Sequence, residues 1–378
     1  MSKIDNLIRQ LCPNGIIHKR LSDIAVYKDG VAHEHIMGET GKYIVAKVKF
    51  ISSDGQFCMY CDQRLSPVEK NDIIMVMSDL PNGKSLAKCY LINENNRYTI
   101  NQRVCALTPQ NGVLPKYLYY VLNRNKQLLK YDTGHTQTHL KKDNILKILV
   151  PVPPKEIQEE VVRILDTFNK QLTVLEEELD ARYSQFEWCK GELLRFTQKV
   201  SSDKIIDICI LEKGKTAIQK ASPGDYPLVV TAAERKTANN FQFDEAAVCI
   251  PLVSSRGHGV ASINQLFYQE GKFALGNILC AVIPKDPTKL ITKYLYYYLN
   301  YKKDVLIVPL MKGGANVSVT VSDLKKIRIE YPDFCSQVEI VRCLDTFSEM
   351  CKKLEEEIVL RRKQYEYYLE LVLSKIEA

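Results

Sequence analysis

Two triplets, Gly83-Lys84-Ser85 and Gly214-Lys215-Thr216, come nearest in this chain to phosphate chemistry. A phosphate-cradling loop also needs a glycine five residues before the triplet, because consecutive backbone amides must curl around the anion. Ser78 and Cys209 hold those two positions, so neither triplet reads as a nucleotide site. Cys58 and Cys61 form a Cys-x-x-Cys, and a structural zinc would need a second close pair of cysteine or histidine ligands. His33 and His35 lie nearby in sequence, but an H-x-H pair is not a typical ligand spacing. No G-x-G-x-x-G, H-E-x-x-H, G-x-S-x-G or N-P-P-[FY] occurs, so the common sequence carriers of dinucleotide, zinc-protease, serine-hydrolase and adenine-methyltransferase chemistry are missing. Two globular blocks without a catalytic set read as a binder rather than an enzyme.

The elements that would position a binding surface come from an internal repeat. PVPPKEIQEEVVRILDTFNK (151–170) and EYPDFCSQVEIVRCLDTFSE (330–349) align at an offset of 179. That offset brings Gln158 onto Gln337, Glu160 onto Glu339, LDTF (165–168) onto LDTF (344–347) and LEEE (175–178) onto LEEE (354–357). An ungapped match of this length is a duplication. Fainter echoes precede each copy: KYLYYVLN (116–123) and KYLYYYLN (293–300), VCALTP (104–109) and LCAVIP (279–284), DIAVYKDG (23–30) and DICILEKG (207–214).

The repeated blocks read as long helices. Val161, Leu165, Phe168, Leu172, Leu175 and Leu179 step by fours and threes, as do Ile340, Leu344, Phe347, Cys351, Leu354 and Ile358. Arg182 and Arg361 interrupt both seams at one place, either fixing register or packing their stems. About 40 residues make a rod of roughly 60 Å, and the cheapest partner for one seam is the other copy. The preceding blocks mix short strand-like runs, among them YIVAKVKF (43–50), DIIMVM (72–77) and ILCAVI (278–283), with one short Tyr/Leu-striped helix each. The expected fold class is α+β: two α/β domains separated by two long helices that pair as an antiparallel intrachain coiled coil, related by a pseudo-twofold axis. The expected boundaries are 1–150, 151–199, 200–330 and 331–378.

Charge follows the same division. Residues 1–150 carry 21 Lys+Arg against 13 Asp+Glu, and residues 200–330 carry 17 against 12. Residues 151–199 and 331–378 each carry 7 against 10. Basic domains attract phosphate backbones, whereas acidic helices do not. On such a domain the Arg256-Gly257-His258-Gly259 loop reads as a nucleic-acid or solvent contact. The chain has 378 residues, 46% hydrophobic and 26% charged, which is ordinary for a soluble protein of two or three domains. With no run of 18 apolar residues, no signal-type start and 12 scattered cysteines, a cytoplasmic protein with reduced thiols is expected.

Taken together, these motifs resemble the specificity (S) subunit of Type I restriction–modification systems. The resemblance rests on the two P-x(4)-Q-x-E-[IV]-V-R-x-L-D-T-F segments (153–168 and 332–347), the CPNG-x(3)-K-x-L-x-D-I opening (12–24) and the Q-x-H-L-x(2)-D turn (137–143). The second polar loop, GGANVSVT (313–320), departs from that turn. The resemblance implies two target-recognition domains at 1–150 and 200–330, each reading half of a split double-stranded DNA site. It also implies repeated spacer helices at 151–199 and 331–378 that dock two methyltransferase (modification) subunits, with restriction/translocase subunits joining the full complex. The chain itself would be non-catalytic and hold no cofactor or metal; S-adenosylmethionine, ATP and Mg would belong to the partner subunits. The alternative is a homodimeric coiled-coil DNA-binding regulator without enzyme partners.

Base reading would use Arg or Lys toward guanine and Asn or Gln toward adenine. Polar residues in loop-like segments are therefore the expected DNA contacts. In the first domain these are Lys47, Lys49, Lys84, Lys88, Arg103, His135, Gln137 and His139. In the second they are Arg235, Lys236, Asn239, Asn240, Arg256, His258 and Asn316.

Overall fold

The structure, a computed structural model, describes residues 3–80, 83–132, 134–196, 198–219, 221–232, 236–257 and 259–377. Its contacts divide the chain into two compact units, Met1–Val174 with Ile358–Ala378, and Leu175–Glu357. Each unit holds one basic block and part of both acidic ones.

In the first unit a four-stranded antiparallel sheet runs in the order Ala25–Asp29, Val104–Pro109, Ile73–Val76, Cys89–Leu91. Its two central strands are apolar on both faces, and the twofold alternation of a strand sends their side chains to two different cores. Ile73, Met75, Cys105 and Leu107 join the helices. Ile74, Val76, Val104 and Ala106 pack toward a second sheet. That second sheet has the order Tyr60–Cys61, Tyr43–Ala46, Tyr98–Ile100, Pro67–Val68, with a parallel pair at its centre. The unit's framework includes the helices α1 (Lys3–Leu11), α2 (Val48–Ser52), α3 (Pro115–Leu122) and the first part of α4 (Lys155–Leu193).

The run YIVAKVKF differs from the single strand its alternation predicts. The strand stops at Ala46 and α2 begins at Val48. Phe50 and Ile51 are adjacent and both buried. A strand would point them to opposite faces, and a helical turn puts both into one core.

The second unit repeats the plan. One sheet has the order Cys209–Lys213, Leu279–Pro284, Ala247–Pro251, Phe267–Gln269. The other has the order Lys236–Ala238, Tyr226–Val229, Lys272–Leu275, Phe243–Asp244, again with a parallel central pair. Its helices include the last part of α4, then α5 (Thr292–Leu306) and the first part of α6 (Phe334–Glu377). One connection differs: residues 47–59 carry α2 in the first unit, while residues 230–235 span the same step in the second without a helix among the described residues.

Within each unit α4 packs against α6. In the first, Phe168 stacks on Tyr368 with ring centroids 4.9 Å apart, and Val161 and Leu165 share a core with Val372 and Ile376. In the second, Phe186 stacks on Phe347 at 6.3 Å and Tyr183 donates to Glu355 at 2.5 Å. Partner numbers on α6 fall as those on α4 rise, so the pairing is antiparallel. Arg182 donates to Gln185 at 3.1 Å and Arg361 to Gln364 at 3.0 Å. Each guanidinium thus bonds along its own helix. Among the described residues no helix is long and apolar enough to cross a membrane.

Candidate nucleic-acid interface

In each unit the same residues fasten the short Tyr-rich helix to the long one. Lys116 pairs with Asp166 at 2.8 Å, and Tyr120 donates to Asp166 at 2.6 Å. Gln158 accepts from the Leu114 amide and donates to the Pro153 carbonyl, both at 2.9 Å. Tyr117 donates to the Pro151 carbonyl at 2.8 Å, and Asn123 accepts from the Cys89 amide at 3.0 Å. In the second unit Lys293 pairs with Asp345 at 2.9 Å, and Tyr297 donates to Asp345 at 2.6 Å. Gln337 accepts from the Ile291 amide and donates to Lys289 O at 2.9 Å each, and to Pro332 O at 3.0 Å. Tyr294 donates to Glu330 O at 2.9 Å, and Asn300 accepts from the Leu266 amide at 3.2 Å. Gln158 and Gln337 are buried and tie down partly buried backbone groups at the start of each helix. Burial, reinforced by the facing carboxylate, pushes the Tyr120 and Tyr297 phenols up, so both stay protonated donors. These clamps explain the repeated Tyr, Asn, Gln and Asp letters, which pattern reading takes for core stripe and helix start.

Upon this frame the first unit links several of the expected contacts through neighbouring backbone. The strand Ser78–Asp79 pairs with Thr138–His139, and Gln137 donates to the Ser78 hydroxyl at 2.9 Å. Asp79 accepts from the Ser85 amide at 2.7 Å and the Leu86 amide at 3.2 Å, folding the Lys84 loop over the ribbon. The Met77 amide bonds the Arg103 carbonyl, and the Asn101 amide bonds the Ala46 carbonyl. Lys47, Lys84, Arg103, Gln137 and His139 are thereby strung along connected backbone, and His135 sits exposed in the same polar loop. Lys49 is exposed on α2 with its ammonium 3.8 Å from the Phe57 ring centroid. Lys88 is spent inside the unit: it donates to Ser52 O and pairs with Asp54, each at 3.0 Å, closing the end of α2.

In the second unit Arg256 and Asn316 lie on neighbouring loops. Val253 bridges Ser318, and the Ser254 amide bonds Val317 O at 2.9 Å. This is the position of the first unit's ribbon: Leu140 bonds Met77 O there, and Val319 bonds Leu252 O here. Asn316 stands where Gln137 stands, although GGANVSVT lacks the Q-x-H-L letters. The offset of 179 already relates the two amides. Lys236, Asn239 and Asn240 are exposed together on the outer strand of the other sheet and the bend after it. Arg235 and His258 lie outside the described residues.

A side chain at Gly83 would stand 2.1 Å from the Asp79 carboxylate, so this Gly-Lys-Ser turn encloses the protein's own anion. His33 is buried, with Nδ1 at 2.6 Å from Val31 O and Nε2 at 3.0 Å from the Thr99 hydroxyl. Among the described residues no group of three or more His, Cys, Asp or Glu could hold a metal ion. Burial pushes the Cys105, Cys209, Cys249 and Cys280 thiols up to about 12, leaving them protonated and unreactive.

The profile of the Type I restriction modification DNA specificity domain matches residues 18–182 and again residues 198–360. A Haemophilus influenzae chain described as a type I restriction enzyme specificity subunit is 26% identical over 310 residues, 74% of this chain and 77% of that one. A type I restriction enzyme specificity subunit of Escherichia coli is 27% identical over 292 residues, 70% of this chain and 72% of that one. In fold, the chain is similar to the crystal structure of a Type-I restriction-modification system S subunit from M. genitalium, with TM-score 0.58, 15% identity and 96% of each chain covered.

Proposed function

The chain belongs to the family of type I restriction–modification DNA specificity subunits, and from that premise we propose that each of its two units reads one half of a split, asymmetric DNA site. It is the non-catalytic, sequence-recognising member of such a complex, and its partners are DNA and the other subunits. The observation that carries the two-half reading is the duplicated clamp. Identical frame residues hold two loop sets whose polar residues differ, as Gln137 and His139 differ from Asn316 and Ser318. Equal frames with unequal readers suit an asymmetric bipartite target.

The cations of the first unit, half-buried Lys47 and exposed Lys84 and Arg103 with Lys49 beside them, would hold phosphates and guanine edges, and Gln137, His135 and His139 would read base edges. Lys236, Asn239, Asn240, Arg256 and Asn316, with Arg235 and His258 from the same segments, would serve the second half-site. The acidic helices α4 and α6 would dock two modification subunits, which bring S-adenosylmethionine and take the target base out of the stack. Restriction subunits with ATP and Mg would join that assembly.

The test is to express the chain with its modification subunit and map every methylated position in the host DNA. Two short half-sites separated by unread bases are expected, and replacing residues 1–150 by those of a relative changes one half alone. A continuous palindrome, or a swap that alters both halves of an active complex, overturns the reading.

A further inference from the structure

The two units differ in one interior space. In the first, α2 lies against the edge strand Cys89–Leu91: the Phe50 ring meets Tyr90 edge-on at 4.9 Å and Tyr98 at 5.9 Å. The matching connection in the second unit, residues 230–235, has no helix among its described residues. A cleft of about 780 Å³ stands there, between the end of the strand Tyr226–Val229, the edge strand Phe267–Gln269, α5 and α6. Ligand sites commonly enclose about 300–1,000 Å³.

The lining has a definite chemistry. Tyr268 and Tyr296 stand 6.0 Å apart and tilted, and the Lys293 ammonium lies 5.3 Å from the Tyr268 ring centroid. Asn264 and Gln265 present amides that can both donate and accept, and Gln265 is exposed. Lys236 and Lys352 bring two more cations to the wall, Lys352 with the Glu356 carboxylate 3.9 Å away. The acids there are already engaged: Asp345 by Lys293 and Tyr297, and Glu349 by Lys353 at 2.8 Å. A smaller hollow of about 260 Å³ shares Thr231, Asn264, Gln265 and Phe267 with the cleft and continues to Ser254 and Ser255, beside Arg256.

We propose that this cleft takes one nucleotide unit, a base with its phosphate, in the second unit only. Aromatic faces stack any base, amides pair with base edges, and lysines hold the phosphate. In the first unit buried Phe50 lies edge-on against Tyr90, which holds on its edge strand the place of Tyr268. The nucleotide comes either from a nucleic-acid strand led in past Arg256 or from solution, and the chemistry of the cleft is common to both.

Isothermal titration of the whole chain with the four deoxynucleoside monophosphates, a four-residue single strand and inorganic phosphate tests this. One equivalent per chain is expected, with at least one nucleotide ligand binding at least about tenfold tighter than phosphate. Lys352→Glu removes a cation at the wall, and Gln265→Trp fills the space; each weakens binding about tenfold or more, since removing a stacked base or a phosphate partner has an effect that large. Both side chains are outside the core, and an unchanged melting curve shows that the variants are folded. A strand that binds tighter than every monomer identifies the nucleic acid as the source, and a monomer as tight as the strand identifies free nucleotide. Phosphate as tight as the nucleotides, two equivalents, no nucleotide binding up to about 10 mM (far weaker than the μM–mM range of working sites), or undiminished binding in both variants overturns it. The titration uses no partner subunit and no target duplex, so its failure leaves half-site reading by the loops untouched.

Discussion

Tyr120 donates a 2.6 Å hydrogen bond to Asp166, and the bond joins the short helix of the first unit to the long one beneath it. Lys116 meets the same carboxylate, and Tyr297, Lys293 and Asp345 repeat the arrangement in the second unit. A phenol bonded to a carboxylate is a charge-assisted contact, and a typical one contributes about 1.5–3 kcal/mol. Asp166 is partly solvated, with 35% of its side chain exposed, so the lower half of that range applies. Tyr120→Phe and Tyr297→Phe should each lower stability by about 1–2 kcal/mol in urea melts. A change below about 0.3 kcal/mol in both would mean that the bond is incidental.

Gln158 and Gln337 predict a sharper local effect. Alanine at 337 strips the partly buried Ile291 amide and the Lys289 and Pro332 carbonyls of the buried side chain they share. Leaving such groups unpaired costs about 2–4 kcal/mol altogether. Hydrogen exchange should accelerate at the Ile291 amide in Gln337→Ala and at the Leu114 amide in Gln158→Ala. Exchange that stays slow at both amides would show that other groups protect them.

Much of this frame is legible in sequence, because duplication writes it twice. Heptad spacing gives α4 and α6, and apolar runs such as Val104–Leu107 give the central strands, whose two buried faces erase the alternation of a half-exposed strand. The clamps are written in the same repeated letters. Their meaning stays hidden, because Tyr117 and Tyr120 are core and hydrogen-bond donors at once. Two features escape for physical reasons. In YIVAKVKF the alternating lysines imitate a strand, and only the need to bury Phe50 beside Ile51 turns the chain into α2. Lys88 shares its residue type with Lys84, but nothing local says that its ammonium closes α2 on Ser52 and Asp54.

Those two lysines should therefore respond differently to removal. Lys84→Ala should weaken DNA binding and reduce the salt slope by about one unit, the change expected when one phosphate is no longer neutralised. Lys88→Ala should leave that slope alone and lower stability by about 0.5–1 kcal/mol, the scale of a part-exposed ion pair with one added hydrogen bond. Affinity measured at four salt concentrations, beside a urea melt of each variant, separates the two roles. Equal slope changes in both variants would return Lys88 to the DNA-binding set.

Glu160 gives the first unit a pH-dependent fastening. Its side chain is 3% exposed, held by Arg163 at 2.6 Å and by Lys3 of α1 at 2.8 Å. The bond from Arg163, opposed by burial and helped by Lys3, lowers its carboxyl from 4.5 to about 2. A carboxyl that is more acidic folded than unfolded stabilises the fold above its unfolded value. That stabilisation is lost as pH falls from about 4.5 through about 2, where the folded state takes up the proton as well. The full shift corresponds to about 3 kcal/mol, but both cations are more than half exposed and solvent screens them, so about 1–2 kcal/mol is expected at pH 7. Glu160→Gln keeps the shape and removes the charge. Its deficit against the parent should be full at pH 7 and less than about half as large at pH 3. Urea melts of both proteins across that window check the sign. A deficit that is constant from pH 7 to pH 3, or that grows as pH falls, would mean that Glu160 acts through packing and not through its charge.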